Sequence, residues 1–231
     1  MVSRVLYRDG LMLVIDKPAG FAVHRGPKGG ASLEDHFDGL RFGLPRPPAL
    51  AHRLDRDTSG CLVLGRHRKA LAQLGRLFKS GAVAKVYWAV VEGSPADDEG
   101  TIALPLGRLD ASRGWWMKHD PRGQPAVTKW QVCGRASGSA GGLTWLALQP
   151  VTGRTHQLRV HCAEMGWPIV GDTIYGGAPR AGGPTLHLHA REVGVPLYKN
   201  RDPIHVVAPV PEHMREALTR CGWTADAQAA E

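Results

Sequence analysis

The sequence has few cysteines and no long apolar run. Its four cysteines, Cys61, Cys133, Cys162 and Cys221, are scattered along 231 residues, and no Cys-x-x-Cys occurs. This distribution suggests neither a zinc site nor a disulfide framework, so we expect small and mostly buried thiols. No apolar run is long enough to span a bilayer, and the N-terminus lacks the zones of a signal peptide. We therefore expect a cytoplasmic protein that does not associate with membranes.

Acidic residues are outnumbered by basic ones, with 21 Asp and Glu against 29 Lys and Arg, which gives a formal net charge of +8. Such a charge attracts polyanions, and the arginines that dominate it offer a planar fork that matches phosphate. Nucleic acid is therefore the expected partner, although charge alone is weak evidence. Hydrophobic residues make up 43% of the chain, which is enough for a substantial core.

The hydrophobic pattern predicts more strands than helices, and the two do not alternate regularly. The predicted strands cover residues 5–7, 11–15, 61–64, 84–92, 101–106, 127–133, 143–149, 186–190 and 205–207. The predicted helices cover residues 32–37, 67–79, 155–165 and 212–219. Asp9-Gly10 predicts a hairpin turn, and residues 127–149 predict a second hairpin. This order favours an α+β protein, with one domain over residues 1–220 and a frayed tail over 221–231.

Residues 51–60, Ala-His-Arg-Leu-Asp-Arg-Asp-Thr-Ser-Gly, form a charged loop just before a predicted buried strand. A carboxylate on a loop at the end of a strand is held in place by the rigid sheet behind it. Arg53 and Arg56 flank Asp55, and positive neighbours keep a carboxylate ionised, as a nucleophile requires. The alternative is an ordinary charged turn. On the pattern alone, the turn is the better interpretation.

Two further segments carry candidate chemistry. In the strand predicted over 84–92, Tyr87 could stack on a base or transfer a proton, or it could simply pack on the core. Residues 151–161 end a strand and start a helix, where backbone N–H groups favour an anion and where arginine and histidine cluster. A metal site is disfavoured there, because His156 and His161 are five positions apart and their side chains do not align on one helix face.

Residues 108–124 are basic and rich in turns, with Trp115 and Trp116 in their middle. This segment allows two interpretations of about equal weight. It could be a hairpin that grips RNA, or its tryptophans could pack over the edge of a sheet.

Together these segments resemble the motifs of the RluA family of RNA pseudouridine synthases. The resemblance rests on His52-Arg53-Leu54-Asp55 with Thr58-Ser59-Gly60, on Lys85 to Gly93, on Thr152 to His161 continued by Gly166 to Gly176, and on Asp16 to Gly20. It runs in order from about residue 5 to about residue 218. Four motifs in the same order make a chance match very improbable.

The resemblance implies a mixed, mainly antiparallel central sheet with flanking helices and an RNA-binding cleft. It implies that Asp55 is the catalytic nucleophile, that Tyr87 stacks on the flipped uracil and that Arg159 is the basic partner of Asp55. It also implies a short member without an N-terminal S4 domain, which modifies uridines in ribosomal or transfer RNA. No metal or cofactor is expected, no obligatory protein partner is expected, and the default oligomeric state is a monomer.

The expected RNA contacts come from the motifs and from basic loops. The motif residues are Arg53, Arg56, Arg154, His156 and Gln157. Further candidates are Arg25, Lys28, Arg113, Lys118 and Arg122. Phosphate contacts would position the RNA, and the shape of the target loop would specify it.

Two other functions are compatible with parts of this sequence. A catalytically idle RNA chaperone would need only the basic charge, but it would have no need for Asp55, Tyr87 and Arg159. A hydrolase or metal enzyme would pair Asp55 with a histidine, but the scattered cysteines and the histidine spacing disfavour it. The glycine-rich segment 166–176 is expected to be a scaffold, in which Asp172 has at most a supporting role.

Overall fold

A computed structural model describes residues 1–26, 29–110, 115–136 and 142–225. The strands are β1 (Val5–Arg8), β2 (Met12–Lys17), β3 (Ala49–Leu50), β4 (Ser59–Gly65), β5 (Ala84–Glu92), β6 (Glu99–Ile102), β7 (Leu106–Arg108), β8 (Met117–His119), β9 (Thr128–Ala136), β10 (Leu143–Pro150), β11 (Leu188–Val195) and β12 (Ile204–Val207). The α-helices are α1 (Arg68–Lys79), α2 (Gln157–Glu164) and α3 (Glu212–Arg220), and Val2–Arg4 and Leu33–Leu40 are 3-10 helices. The strands pair mainly antiparallel, so the predicted α+β class is confirmed.

The chain divides into two compact units that are interleaved along the sequence. The first unit comprises residues 1–86 and 189–209, and the second comprises residues 87–188 and 210–231. The sequence predicted one catalytic domain over residues 1–220, and that assignment stays a prediction.

In the first unit, the sheet is built around the fully buried strand β4. Strand β2 pairs antiparallel with both β1 and β4, β11 runs parallel to β4, and β12 pairs antiparallel with β11. The predicted hairpin forms because the Asp9 carboxylate accepts hydrogen bonds from the N–H groups of Leu11 and Met12, at 2.7 and 2.8 Å. Helix α1 buries Leu74 against side chains of β2 and β4, as its helical pattern predicted.

In the second unit, the antiparallel order of strands is β5, β10, β9, β6. Its core contains Ala89 and Val91 of β5, Leu146 and Leu148 of β10, and Leu158 of α2. A separate two-stranded ribbon is formed by β7 and β8. The predicted hairpin over 127–149 is therefore confirmed in its two strands, whereas its connecting turn at 137–141 lies outside the described residues.

Three predicted boundaries are corrected. The strand expected over 101–106 is divided, because Pro105 has no N–H and the chain changes its partner from β9 to β8 on either side of it. Helix α2 begins later than predicted, because His156 has a left-handed backbone with φ of 53°. The tail is not frayed from residue 221, since Cys221 is buried and the N–H of Trp223 donates to the carbonyl of Leu218. Residues 226–231 lie outside the described part of the chain.

Candidate active site

In the first unit, Asp55 lies on the loop between β3 and β4. Its carbonyl accepts a hydrogen bond from the N–H of Thr58 at 3.2 Å, which closes a tight turn ahead of the strand. All seven residues of β4 are buried. The loop is thus attached to the most rigid part of this unit, as the sequence predicted. Both expected features, the charged turn and the carboxylate beside a buried strand, are present.

His52 fastens the start of this loop. Its Nε2 accepts a hydrogen bond from the N–H of Val63 at 3.0 Å, and its ring stacks on Phe78 with 4.4 Å between the centroids. Burial above all, together with the charge of Lys85, lowers the pKa of His52 from 6.5 to about 3. The ring is therefore neutral with its proton on Nδ1, and it acts as a structural acceptor.

Lys17 lies under the same loop and has no solvent-exposed surface. Its Nζ donates to the carbonyls of Pro18 and Arg56 at 2.9 and 2.8 Å. Burial lowers its pKa to about 8, against the opposing effect of the Asp57 and Asp55 carboxylates. Lys17 is thus a buried cation next to the predicted nucleophile. Lys17 belongs to the segment Asp16 to Gly20, which carries part of the family resemblance, but no role was predicted for it, although a lysine after an apolar strand and before proline was a usable signal.

Arg53 and Arg56 are the two arginines that flank Asp55 in the first unit. Both side chains are exposed. The Nε of Arg56 donates to the carbonyl of Gly20 at 3.0 Å, and its guanidinium lies 3.9 Å from Asp57. Arg56 therefore connects the Asp55 loop to the loop after β2 while remaining open to solvent. Of the other basic candidates in this unit, Arg25 pairs with Asp35 at 2.6 Å, and Lys28 lies outside the described residues.

In the second unit, Arg159 of α2 forms a buried ion pair with Asp172. Its Nε and Nη2 donate to the two carboxylate oxygens at 2.8 and 2.7 Å, and both side chains are almost fully buried. Oδ1 of Asp172 also accepts from the N–H groups of Ile174 and Tyr175. Burial by itself raises the pKa of Asp172, but the hydrogen bonds and charge of Arg159 and these two N–H groups outweigh it and hold the pKa below its usual value.

Tyr87 is the first residue of the second unit and belongs to β5. It lies opposite Leu148 of β10, is half-buried, and packs against the core that contains Ala89 and Val91. Trp88 lies on the other face of the strand, where it meets Trp145 edge to face at 4.6 Å.

The loop before α2 is held by Gln157, which is buried. Its Oε1 accepts from Thr152 Oγ1 and from the N–H of Arg154, and its Nε2 donates to the carbonyl of Val127 and to Thr128 Oγ1. All four hydrogen-bonding positions of the amide are thus occupied within the protein. Gln157 therefore fixes the loop before α2 through its side chain, and its expected contact with RNA stays a prediction.

His156 is also buried, and its expected role as an RNA contact stays a prediction. Its Nδ1 lies 2.7 Å from the hydroxyl of Tyr175. Arg154 is only partly exposed, and its Nε donates to the carbonyl of Pro125 at 3.0 Å. His161 contacts Thr128 Oγ1 and the carbonyl of Leu104. The two histidines therefore have separate partners.

The second unit thus brings together Arg159, Asp172 and Tyr175, while Asp55 belongs to the first unit and Tyr87 to the second. The meeting of Asp55, Tyr87 and Arg159 stays a prediction. Within the described ranges, no group of three His, Cys, Asp or Glu side chains is arranged to hold a metal ion. In the same ranges, no helix has the length and apolarity needed to cross a membrane.

One pair in the first unit resembles part of a hydrolase site. Ser59 Oγ lies 2.8 Å from Nδ1 of His189. Ser59 is only 2% exposed and His189 is not exposed at all. A nucleophile must reach its substrate, so this pair is structural and does not favour a hydrolase.

Comparison with known proteins extends over most of the chain. Residues 11–164 match the family described as RNA pseudouridylate synthase. An uncharacterised RNA pseudouridine synthase of Zymomonas mobilis is 42% identical over 214 residues, which cover 92% of this chain and 95% of that protein. The ribosomal large subunit pseudouridine synthase C of Vibrio cholerae is 33% identical, over 94% of this chain and 68% of the relative. The solved human RNA pseudouridylate synthase domain containing 4 superposes with a TM-score of 0.77 at 28% identity, over 96% of this chain and 94% of that one.

Proposed function

The chain belongs to the RNA pseudouridylate synthase family and is an RNA pseudouridine synthase, an isomerase, and we propose that Asp55 is its nucleophile and that specific uridines of ribosomal or transfer RNA are its substrates. The membership of the RluA family that the four motifs indicated is confirmed. The expected fold class is confirmed as well, by the strand order and by the solved relatives.

The reaction moves a uracil from one attachment to another without redox chemistry. The N1–C1′ bond breaks, the C5–C1′ bond forms, C5 loses a proton and N1 gains one. Asp55 has three routes: attack on C1′, attack on C6 of the base, or removal of the 2′ proton to give a glycal. Each route requires an ionised carboxylate. None of them calls for a metal or cofactor.

The observation that carries the assignment of Asp55 is the buried Lys17 ammonium below its loop. Lys17 donates to the carbonyl of Arg56, the residue directly after Asp55, and its charge interacts with Asp55. His52 holds the other side of the loop through Val63. The loop is therefore fixed on both sides of the proposed nucleophile, as a preorganised catalytic group requires.

Arg159 is the proposed partner of Asp55, and Tyr87 is proposed to stack on the flipped uracil. The two hydrogen bonds from Arg159 to Asp172 set the plane of the guanidinium, which supports a role in aiming a second carboxylate. Tyr87 stands on β5 directly before four buried residues, so its ring is carried by backbone that is anchored in the core. A base-flipping enzyme needs such a stacking surface.

Ribosomal RNA is the first of the proposed substrates. The Vibrio cholerae relative is named for the large ribosomal subunit, and the net charge of +8 suits a structured RNA. Arg53, Arg56 and Arg154 are proposed to contact phosphates, with Lys118 and Arg122 as exposed candidates in the second unit. Arg113 lies outside the described residues. We expect a cytoplasmic monomer that works without an obligatory protein partner.

A tritium-release assay tests this proposal. RNA carrying tritium at C5 of uracil loses it only when C5 becomes bonded to C1′. We expect release by the wild type, and release by Asp55→Asn at least about 1,000-fold slower, since a catalytic group acts as part of a unit. Asp57→Asn is the matched control, because it removes the neighbouring carboxylate of the same loop. It should retain activity within a few-fold.

Two results would overturn parts of the proposal. Undiminished turnover by Asp55→Asn would remove Asp55 from the nucleophile role. Salt-sensitive RNA binding without release from ribosomal or transfer RNA would remove the proposed substrates and favour a binding function. The target itself is found by mapping pseudouridines in cellular RNA from cells with and without the gene. Sites that disappear without the gene identify both the RNA and the uridine.

A further inference from the structure

Trp115 is an exposed aromatic side chain at the start of β8, in the second unit. It is 57% exposed, more than any other large hydrophobic side chain among the described residues. A single exposed hydrophobic residue is ordinary on a protein surface. The contacts that hold Trp115 in place are what indicate a function for it.

Two aromatic rings meet the indole of Trp115 at steep angles. The His156 ring lies 5.2 Å away at 81°, and the Trp116 ring lies 6.0 Å away at 66°. Neither ring lies parallel to the indole, so neither covers its face as a stacked neighbour would. The guanidinium of Arg180 lies 5.6 Å from the centroid of the Trp116 ring. The indole of Trp115 therefore has two tilted ring neighbours, neither of them stacked on it, and more than half of its surface is open to solvent.

The support under Trp115 is rigid. The N–H of Met117 donates to the Tyr175 hydroxyl at 2.9 Å, and the same hydroxyl lies 2.7 Å from Nδ1 of His156. His156 is buried and begins α2 in a left-handed conformation, which is unusual for a residue with a side chain. The guanidinium carbon of Arg159 lies 5.3 Å from the centroid of the Tyr175 ring. The indole is thus connected to Arg159, the proposed partner of the nucleophile, through three successive contacts by way of His156 and Tyr175.

Both basic and acidic residues lie near Trp115 in the described part of the chain, and the basic ones are more numerous. Arg108, Lys118 and Arg122 are exposed on the β7–β8 ribbon and its following turn. Asp110 and Asp120 are the acidic residues of the described part of this segment, and the Asp120 carboxylate accepts from the N–H of Arg122. The cations suit phosphates, and an open aromatic face between them suits a base.

We propose that Trp115 is a stacking platform for an unpaired nucleotide of the RNA substrate, next to the uridine that reacts. The inference rests on the proposed function, because it takes RNA as the ligand. An unpaired base offers a π-face of either purine or pyrimidine type, so the platform contributes affinity with little sequence preference. Its connection through His156 and Tyr175 to Arg159 keeps the bound strand in a fixed relation to that arginine.

Two variants at the same position test the platform. Trp115→Phe keeps an aromatic face, and Trp115→Leu keeps apolar bulk without one. Binding is measured by fluorescence anisotropy with a labelled single-stranded oligoribonucleotide and with a labelled stem-loop that has unpaired loop bases. We expect Trp115→Leu to weaken both complexes about tenfold, and Trp115→Phe to weaken them less than about threefold. The kcat for RNA at saturation should stay within about twofold of the wild type, while KM rises for Trp115→Leu.

Equal binding by the wild type and Trp115→Leu would overturn the platform, and so would equal losses in the two variants. Equal losses would indicate a structural role or a protein-binding surface, where apolar area matters more than an aromatic face. Denaturant unfolding of each variant shows whether the ribbon still folds.

Repeating the binding measurements in the Asp55→Asn background separates the two proposals. If the wild type fails to modify RNA, the proposed substrates fail, yet the contrast between phenylalanine and leucine still reports on stacking. If modification proceeds and the contrast is absent, the platform alone fails.

Discussion

Arg159 and Asp172 form a bidentate ion pair with almost no exposure to solvent, at 2.8 and 2.7 Å. The pair joins α2 to the segment that follows it, and Asp172 also holds two backbone N–H groups of that segment. Removing one partner of such a pair leaves an uncompensated buried charge, which costs far more than the loss of a surface pair.

Asp172→Asn should therefore lower the free energy of unfolding by about 3–5 kcal/mol. Asp98→Asn is the matched control, because Asp98 pairs with Arg135 at 2.6 Å on the surface. That substitution should cost less than about 1 kcal/mol. Urea unfolding of both variants against the wild type measures the difference. Similar losses in the two variants would show that burial gives the Arg159 pair no special weight.

Lys17→Met should impair the reaction more than it impairs folding. The substitution leaves the carbonyls of Pro18 and Arg56 without their donor, but it also removes a desolvated charge. These two effects oppose each other, so we expect unfolding to change by no more than about 2 kcal/mol. The Asp55 loop loses its anchor and a nearby positive charge, and kcat should fall at least about tenfold, because small misplacements of catalytic groups are costly.

The control for this variant is Lys79→Met, which removes an exposed lysine at the end of α1. Its kcat should equal that of the wild type. Tritium release at saturating RNA gives kcat, and urea unfolding gives stability. Unchanged kcat in Lys17→Met would show that the buried ammonium has no part in positioning Asp55.

His52 should make folding sensitive to acid. Its pKa is about 3 in the folded chain and about 6.5 when it is solvated. Above pH 6.5 both states are neutral and the full stability is present. As pH falls from 6.5 towards 3, the unfolded chain gains a proton that the folded chain does not, so stability is lost by up to about 1.4 kcal/mol per pH unit.

His52→Gln isolates this contribution, because a glutamine oxygen can accept from Val63 N–H but does not titrate. Urea unfolding at several pH values between 4 and 7 should show a smaller loss of stability for His52→Gln than for the wild type. Parallel curves would mean that folding does not shift the pKa of His52.

Gly60 tests how closely β4 and β11 approach. It has φ of 102°, and a Cβ there would lie 2.2 Å from the carbonyl oxygen of Ala190. Gly60→Ala should lower the free energy of unfolding by more than about 3 kcal/mol, since backbone on both sides must move. Gly20→Ala is the control, because its φ is 83° but a Cβ there meets nothing within 4 Å. It should cost about 1 kcal/mol. Equal losses of stability in the two variants would mean that the positive φ of Gly60, and not its close approach to Ala190, explains why glycine is needed there.

Local patterns predicted most of the elements because their causes are local. Helix α1 follows from a repeating apolar face with His67 as its N-cap, and the first hairpin follows from Asp9. The errors fall where the cause lies far away in sequence. The division at Pro105 depends on a change of strand partner, and the buried place of Cys221 depends on the close approach of Gly134.

The sequence by itself determined the family, the strand-rich class and the candidates Asp55, Tyr87 and Arg159, because motif order and hydrophobic period are properties of the chain. Only the tertiary structure decided what each polar side chain is used for. It buried Lys17 below the loop of Asp55, paired Arg159 with Asp172 and assigned Gln157 to four internal hydrogen bonds. The physical reason is that a charge or an amide acquires its role from the groups that replace water around it, and folding brings those groups from distant positions.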